Sequence, residues 1–190
     1  PGCLDFIAKA SKAGILVGIG HHAGSREQIS AAVAAGALLS THLGNAAHSE
    51  LPRHNNYIWE QLANDGLMAS IIVDGHHLPP AVVKSFYRCK GPGRLILISD
   101  VMPAAGLPVG KHSFMGLTVE LREDGSVRLP GTPYLAGSTL KLCEAIGNII
   151  LLAGAPLGDA ITMATANPAR LLGVYPDRGC LRIGARAHLA

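Results

Sequence analysis

Residues Leu67–Val73 (LMASIIV) form an apolar run that is followed directly by Asp74-Gly75-His76-His77 (DGHH). The run does not alternate between apolar and polar residues, and such continuous runs are typical of strands in parallel sheets covered on both faces. Polar residues come only where the run ends. The stretch therefore predicts a buried parallel strand that carries chemically active side chains at its carboxyl end.

The same arrangement recurs on both sides of this stretch. Three further short apolar runs end in His, Asn or Asp: Ile15–Ile19 before His21 and His22, Leu38–Leu43 containing His42 and followed by Asn45, and Arg94–Ser99 before Asp100. Helical segments flank or separate these runs: Asp5–Ala13, Ser25–Ala35, Tyr57–Asn64 and Pro79–Cys89. Strands that alternate with helices predict an α/β fold with a parallel sheet.

The pattern changes after Asp100. Leu117–Leu129 (LTVELREDGSVRL) alternates with period two around Asp124-Gly125, which predicts a β-hairpin. Leu135, Ala136 and Gly137 predict a small-residue turn before a helix. Two helical patterns follow: Ser138–Ala153 and Gly158–Leu172. No hydrophilic linker divides the chain.

The composition excludes several classes of protein. Of the 190 residues, 48% are hydrophobic and 15% are charged, so the chain can bury a large core and is not disordered. The net charge is +3, the basic residues are scattered and only 4% of residues are aromatic, so we expect no nucleic-acid partner. No apolar run approaches the roughly 18 residues of a membrane helix, so we expect no membrane association.

The cysteines and the first residues bear on the cellular compartment, and the two chain ends bear on whether the sequence is a piece of a longer protein. Cys3, Cys89, Cys143 and Cys180 lie far apart without a C-x-x-C pair, so we expect reduced, buried thiols in a cytoplasmic protein. The first ten residues do not resemble a signal peptide. Because the sequence starts without Met and ends in a strand-like pattern, we expect a piece of a longer protein.

The polar residues at the strand ends predict a metal or acid–base site. In a parallel α/β sheet or barrel, the carboxyl ends of all strands lie on one side, so His21, His42, His77 and Asp100 are expected to meet there. Histidine is a common zinc ligand, and a nearby carboxylate can take a proton from water. Taken singly, each His has a structural interpretation, and Asp100 alone has one as a helix N-cap. Four successive strands with such endings favour a site.

The segment after the second strand contains residues suited to binding an anion. Asn45 and neighbouring backbone amides can surround an anion, and the Arg53 guanidinium suits phosphate. The alternative for Arg53 is an ordinary solvated loop cation. The turn at Leu135–Gly137 lets a ligand approach the backbone, although a plain helix cap is the simpler interpretation without context.

These residues resemble the motifs of the N-acetylglucosamine-6-phosphate deacetylase family, in the amidohydrolase superfamily. Gly20-His21 resembles its G-H-S segment, with His22 in place of Ser. Residues 41–47 (THLGNAA) resemble T-H-L-F/Y-N-A-M, with Gly44 in place of the aromatic residue. Residues 74–77 resemble D-G-x-H, and 98–106 resemble V-T-D-A…P-A-G. Residues 135–138 match L-A/S-G-S, and 166–170 (ANPAR) resemble the segment that leaves the barrel.

The resemblance implies a role for each matched residue. His21 and His42 would bind a divalent metal ion, with zinc the first choice and iron or another divalent ion as alternatives. Asp100 would be the catalytic acid–base. The substrate-binding residues implied are Asn45, Ala46, Arg53, Asp74, Gly75, His76, His77, Leu135, Ala136 and Gly137. The implied reaction removes acetate from N-acetylglucosamine 6-phosphate to give glucosamine 6-phosphate.

The family fold is a (β/α)8 barrel, which needs roughly 250 residues. The chain is therefore expected to hold the second half of a TIM-type barrel in residues 1–175, about four parallel strands with a β-hairpin excursion. Residues 176–190 would begin a small β domain. The family's H-x-E-G-P glutamate, a metal ligand, and its early H-x-H have no counterpart. Exposed strand edges lead us to expect a homodimer or higher homo-oligomer.

Two other functions stay open from the sequence. One is another amidohydrolase, such as an N-acyl amino acid deacylase or a dihydroorotase-like enzyme, against which Arg53 and the Asn45 segment argue. The other is an inactive module that binds a phosphosugar, which the missing glutamate favours.

Overall fold

The computed structural model describes residues 2–189. Within them the elements follow the order α1 (Cys3–Lys12), β1 (Val17–Ile19), α2 (Arg26–Ala34), β2 (Ala37–Ser40), α3 (Tyr57–Ala63), β3 (Met68–Ile71), α4 (Pro80–Lys90), β4 (Leu95–Leu97), β5 (Gly110–Phe114), β6 (Leu117–Leu121), β7 (Val127–Arg128), β8 (Leu135–Gly137), α5 (Leu142–Ala153), α6 (Leu157–Ala164) and α7 (Ala166–Leu171).

The first four strands form a parallel sheet in the order β1-β2-β3-β4. Each neighbouring pair is parallel, with register partners such as Val17 and Ala37, Leu39 and Met68, and Ser70 and Ile96. A helix follows each of the first three strands and leads to the next. The predicted α/β fold with a parallel sheet is confirmed.

Local sequence signals explain where the helices start. Ser25 caps α2 through a capping box with Gln28, whose side chain accepts a hydrogen bond from the Ser25 amide. Asn56 caps α3 with its side-chain oxygen. Pro80 occupies the first turn of α4, where the missing amide hydrogen has no intrahelical acceptor. These three helices therefore begin within one residue of the predicted positions. The predicted helix Ser138–Ala153 begins instead at Leu142, and the predicted Gly158–Leu172 is divided into α6 and α7.

The main core lies where β3 and β4 meet α4, α5 and α6. Residues 71–73, at the end of β3 and just beyond it, are fully buried, as is Val83 on α4. Ile149 of α5 and Met163 of α6 pack in the same cluster. A smaller cluster joins Ile7 of α1, Ala32 of α2 and Ala37 of β2. Burial therefore decreases toward β1.

The segment after β4 differs from the predicted hairpin. Strands β5, β6, β7 and β8 form a four-stranded antiparallel sheet, of which the predicted β6–β7 hairpin is the centre. Leu135–Gly137 is strand β8 paired with β7, and not the predicted turn. The absence of a side chain at Gly137 allows β8 to lie close to Met102, since a Cβ there would lie 3.0 Å from the Met102 side chain. After β4, a single parallel bridge joins Val101 to Ser138.

The structure also bears on the expectations about the thiols, membrane-spanning helices and the small β domain. The thiols are free, but Cys3, Cys89 and Cys143 are exposed, so the expectation of buried thiols is wrong. None of the helices in residues 2–189 combines the length and apolar character needed to span a bilayer. Residues 176–189 contain turns and bends without a strand, and the small β domain stays a prediction.

Candidate active site

The side chains of His21 and His42 meet beyond the ends of β1 and β2. Their Nε2 atoms are 2.8 Å apart, and the two rings are nearly perpendicular, with centroids 4.5 Å apart. His21 is exposed, whereas His42 is only 9% exposed. The predicted proximity of two imidazoles at adjacent strand ends is thus present in the fold.

Neighbouring strands determine where this pair lies. The His42 amide donates to Ser70 Oγ on β3 (2.8 Å), and the Thr41 amide donates to the Ile19 carbonyl on β1 (2.8 Å). Gly20 permits the approach, because a Cβ there would lie 2.9 Å from Thr41 Cβ. Ser70 gave no signal in sequence, since its partner is 28 residues away.

Left-handed backbone conformations concentrate at these strand ends. Five residues other than glycine have positive φ within residues 2–189: His21 (49°), His42 (31°), Ala46 (51°), Asp100 (47°) and Met115 (51°). Four of them were predicted as site residues from sequence. This conformation is unfavourable for residues with a Cβ, and such strain clusters at functional sites because the surrounding structure enforces it.

A small polar cavity lies beside the imidazole pair, under the Asn45 segment. Its volume is about 20 Å³, and its walls include His22, Asn45, Tyr57 and Gln61. His22 Nε2 and both polar atoms of the Asn45 amide are buried and find no hydrogen-bond partner among residues 2–189. His22 Nδ1 accepts from the Gly24 amide (3.0 Å), so in a neutral ring Nε2 carries the proton. The cavity therefore presents polar groups suited to an oxygen ligand.

The loop after β3 is organised by Asp74. Its Oδ1 accepts from the backbone amides of His76 (2.9 Å) and His77 (2.8 Å), and its Oδ2 accepts from His77 Nδ1 (2.6 Å). Burial raises the pKa of Asp74, but these hydrogen bonds outweigh it and hold the pKa below its usual value. Because His77 Nδ1 donates to Asp74, Nε2 is the ring nitrogen left for a ligand.

The remaining predicted site residues lie on several segments of the fold. Asp100 is exposed just beyond β4, at the opposite edge of the sheet from β1. His76 Nε2 contacts the Asp124 carbonyl oxygen (3.0 Å) on the β6–β7 turn. Arg53 is exposed in the loop between β2 and α3, and Gly75 is exposed with a φ of 81°. Leu135, Ala136 and Gly137 are half-buried in β8.

The imidazole pair matches part of a divalent-metal site. Imidazole nitrogen is a standard zinc ligand, and the two Nε2 atoms lie within 2.8 Å of each other. Catalytic zinc sites use three protein ligands, and no group of three His, Cys, Asp or Glu side chains in residues 2–189 could hold an ion. His21 and His42 are thus two candidate ligands, and a catalytic zinc site would need a third from outside residues 2–189.

Comparisons with solved structures identify similar folds. A mutant N-acetyl-D-glucosamine-6-phosphate deacetylase from Mycobacterium smegmatis, in complex with N-acetyl-D-glucosamine-6-phosphate, matches with a TM-score of 0.87 and 34% identity. The match covers 98% of this chain and 49% of that chain. The enzyme from Pasteurella multocida matches with a TM-score of 0.88 and 28% identity, over 97% and 48% of the two chains. No family model matches the sequence.

Curated relatives share the sequence over the same length. The N-acetylgalactosamine-6-phosphate deacetylase of Escherichia coli O157:H7 is 35% identical over 186 residues, 98% of this chain and 48% of the relative. A shorter relative from Escherichia coli K12, named provisionally for the same activity, is 41% identical over 117 residues, 62% of this chain and 68% of its own length. The chain belongs to the N-acetylglucosamine-6-phosphate deacetylase family. It spans about half the length of the first two curated relatives it matches.

Two residues that differ from the family motifs, Gly44 and His22, lie close to identifiable side chains. Gly44 replaces the aromatic residue, and a Cβ there would lie 3.1 Å from Leu78 and 3.2 Å from the Phe86 ring. His22 replaces Ser and lies near the Tyr57 ring, with centroids 5.7 Å apart. Tyr57 also accepts a hydrogen bond from the His48 amide (2.9 Å). The sequence did not indicate that Tyr57 and Gln61 line the cavity, because the pattern of α3 is that of an ordinary amphipathic helix.

Proposed function

We propose that this chain carries part of a metal-dependent amide hydrolase that removes acetate from N-acetylglucosamine 6-phosphate. The observation that supports this most directly is the meeting of His21 and His42 at adjacent strand ends, with Nε2 atoms 2.8 Å apart. Asp100 lies at the same end of the sheet. The products would be acetate and glucosamine 6-phosphate.

The parallel sheet would be the second half of a (β/α)8 barrel. Strand β1 is an edge strand, and beside it α1, β1 and α2 line a groove of about 720 Å³. Phe6 and Ile15 expose 68% and 61% of their surface nearby. A further strand and helix from the rest of such a barrel would cover this edge and supply the missing metal ligand.

The reaction would use groups at the ends of all four parallel strands. His21 and His42 would hold the divalent ion, zinc or else iron or another divalent metal, which supplies Lewis-acid activation of water and carbonyl. Asp100 would accept a proton as the water oxygen bonds to the acetyl carbon. It would return that proton to the nitrogen as the C–N bond breaks. His77, oriented by Asp74, would contact the substrate through Nε2: in the neutral ring this atom accepts from a sugar hydroxyl, and with both ring nitrogens protonated it donates to the acyl oxygen.

The phosphate would lie at the Asn45 segment. Asn45 has two buried polar atoms without partners in residues 2–189, and the backbone at Ala46 is left-handed. Backbone amides in such turns point together and favour anions. Arg53 lies in the following loop, where an exposed guanidinium can reach an anion on this subunit or on a second copy. Gly75, Leu135, Ala136 and Gly137 would line the sugar.

The orientation of the sugar hydroxyl at carbon 4 distinguishes two candidate substrates. Relatives of this chain are named as deacetylases of N-acetylglucosamine 6-phosphate and of N-acetylgalactosamine 6-phosphate. We propose the glucosamine compound, and the assay below uses both. We also propose a cytoplasmic, homo-oligomeric protein.

A phosphosugar-binding protein without catalysis is the second candidate. It is favoured by the finding that no three metal-ligating side chains converge within residues 2–189. Such a protein would bind the 6-phosphate through the Asn45 segment and would leave the amide intact.

Zinc titration and acetate release together test the proposal. We expect zinc to bind the purified chain, and His21→Ala and His42→Ala to weaken that binding at least about tenfold, since each removes one of two nitrogen ligands. His112→Ala is the matched control, because His112 lies on β5 and its Nε2 contacts the Pro108 carbonyl. Acetate release from either phosphosugar in the presence of zinc would support the enzyme.

The outcomes separate the two candidates. Phosphosugar binding without acetate release supports the binding protein. Zinc binding that is equal in the wild type, His21→Ala and His42→Ala would contradict the metal site itself.

A further inference from the structure

The imidazole of His76 contacts the antiparallel sheet. Its Nε2 lies 3.0 Å from the carbonyl oxygen of Asp124, 48 residues along the chain, in the turn between β6 and β7. A carbonyl oxygen can only accept a hydrogen bond, so Nε2 must carry the proton. Both the neutral ring with this tautomer and the imidazolium satisfy that requirement. The contact is therefore a hydrogen bond from the loop after β3 to the antiparallel sheet.

A second side chain holds the same turn. Thr139 Oγ1, just after β8, donates to the Gly125 carbonyl (2.8 Å). Within the turn, Asp124 Oδ1 accepts from the Ser126 amide (2.9 Å) and from Ser126 Oγ (2.7 Å). The two turn carbonyls thus point outward to donors on separate segments, while the Asp124 side chain closes the turn internally.

The loop that carries His76 is itself fixed. Asp74 accepts from the amides of both His76 and His77 and from the His77 ring. One carboxylate therefore sets two neighbouring imidazoles in different directions. The His77 ring is tied to Asp74, and the His76 ring reaches the turn.

The turn is connected to residues at the end of β4. Strand β7 pairs with β8, which contains Leu135–Gly137. Immediately after β8, the Ser138 carbonyl accepts from the Met102 amide (2.9 Å), two residues beyond Asp100. A displacement of the turn would therefore move β8 and the segment that follows Asp100.

We propose that His76 is a positioning residue: its hydrogen bond to the Asp124 carbonyl holds the β6–β7 turn, and through β7 and β8 it sets the position of the wall formed by Leu135–Gly137. The inference rests on the proposed function in taking Leu135–Gly137 as part of a phosphosugar site. It assigns His76 a role other than direct substrate contact.

Hydrogen exchange of the wild type and of His76→Leu tests the hydrogen bond. Loss of the donor should speed amide exchange in residues 122–128 and 135–138 by about 3- to 10-fold, the effect of one exposed hydrogen bond. His76→Gln retains an N–H at similar reach and should restore slow exchange. Thr139→Val should give a similar increase, and exchange in α1 and α2 should not change.

Two outcomes would overturn the inference. One is unchanged exchange in residues 122–128 of folded His76→Leu. The other is an equal increase throughout the chain, which would make His76 a general stabilising residue.

Ligand protection tests the positioning role separately. Zinc with N-acetylglucosamine 6-phosphate should slow exchange in residues 135–138 of the wild type and of His76→Gln, and much less in His76→Leu. Equal protection in His76→Leu would contradict positioning. If the wild type shows no protection while exchange of the turn still responds to His76→Leu, the proposed function fails for this chain and the hydrogen bond stands.

Discussion

Asp100 combines an exposed carboxylate with a left-handed backbone, its φ being 47°. Asp100→Asn keeps the size of the side chain and removes its capacity to accept a proton. If Asp100 is the acid–base group, kcat for acetate release should fall at least about 10²-fold in an enzyme that also contains the missing metal ligand. Zinc content, measured on the same sample, should barely change. Near wild-type turnover in Asp100→Asn would place the base elsewhere.

Arg53 is exposed in the loop after β2, where its charge is free to meet an anion. A charged hydrogen bond to phosphate contributes roughly 1.5–3 kcal/mol, so Arg53→Ala in an enzyme with a complete metal site should lower kcat/KM for the 6-phosphate about 10- to 150-fold. Unphosphorylated N-acetylglucosamine offers no anion, and its slow turnover should be nearly unaffected. Equal losses on the two substrates would show that Arg53 has a structural role.

At the scale of elements, Lys90 joins the end of α4 to the connection between α3 and β3. It is 2% exposed, and its Nζ donates to the carbonyls of Asn64 (2.7 Å) and Leu67 (2.9 Å). Burial, followed by the nearby charge of Arg94, lowers the pKa of Lys90 to about 8. In the unfolded chain, its pKa returns to about 10.5.

This difference predicts a pH dependence with a definite sign. Between pH of about 8 and 10.5 the unfolded state holds more protons at Lys90 than the folded state, so its contribution to stability rises with pH. Urea unfolding at pH 8 and pH 10 should show the wild type gaining stability relative to Lys90→Met. A constant difference between the two proteins would contradict the lowered pKa.

Asn167 shows how the ANPAR motif holds α7 against β4. It is fully buried, and its Nδ2 donates to the carbonyls of Pro92 (2.6 Å) and Leu95 (2.7 Å). Asn167→Ala leaves both carbonyls unpaired and should destabilise the fold by about 2–4 kcal/mol. Asn148→Ala removes a single bond, to the Val73 carbonyl, and is the control. A smaller loss for Asn167→Ala than for Asn148→Ala would refute this account.

Elements marked by residues close together in sequence could be predicted, whereas elements defined by distant partners could not. The start of α2 was predicted at Ser25, and its signal is local: the structure shows a capping box with Gln28, only three residues away. Strand β8 was missed because Leu135, Ala136 and Gly137 look like a turn until β7 and Met102 are placed against them. Strand β5 was missed because GKHSF lacks the apolar residues that mark a strand.

The same distinction applies to the candidate site. The approach of His21 to His42 followed from topology, because neighbouring parallel strands bring their ends together. The hydrogen bond of His76 to Asp124 spans 48 residues and two different sheets, and no periodicity reports such a contact.

At the scale of the whole molecule, the edge at β1 is open and apolar. Phe6 is 68% exposed beside the groove that α1, β1 and α2 form. We expect the isolated chain to self-associate through this edge, since open edges and apolar grooves pair readily. Phe6→Glu should shift the chain toward monomer in analytical ultracentrifugation.

A control for self-association lies on α5. Leu151 is 82% exposed there, on an element outside the groove lining, so Leu151→Glu should leave the self-association intact. Equal effects of the two substitutions would assign the association to general hydrophobicity.

Because the space around Gly44 is crowded, the residues tolerated at position 44 depend on the side chains packed beside it. Leu78 and Phe86 occupy the space beside it, and its φ of 88° is one that glycine adopts readily. A side chain at this position would press on Leu78 and Phe86, so an aromatic residue at 44 favours a smaller residue at 86, whereas a smaller residue at 86 would leave a void beside Gly44. The two positions are therefore expected to change together, so a library that varies position 44 alone would recover few folded proteins.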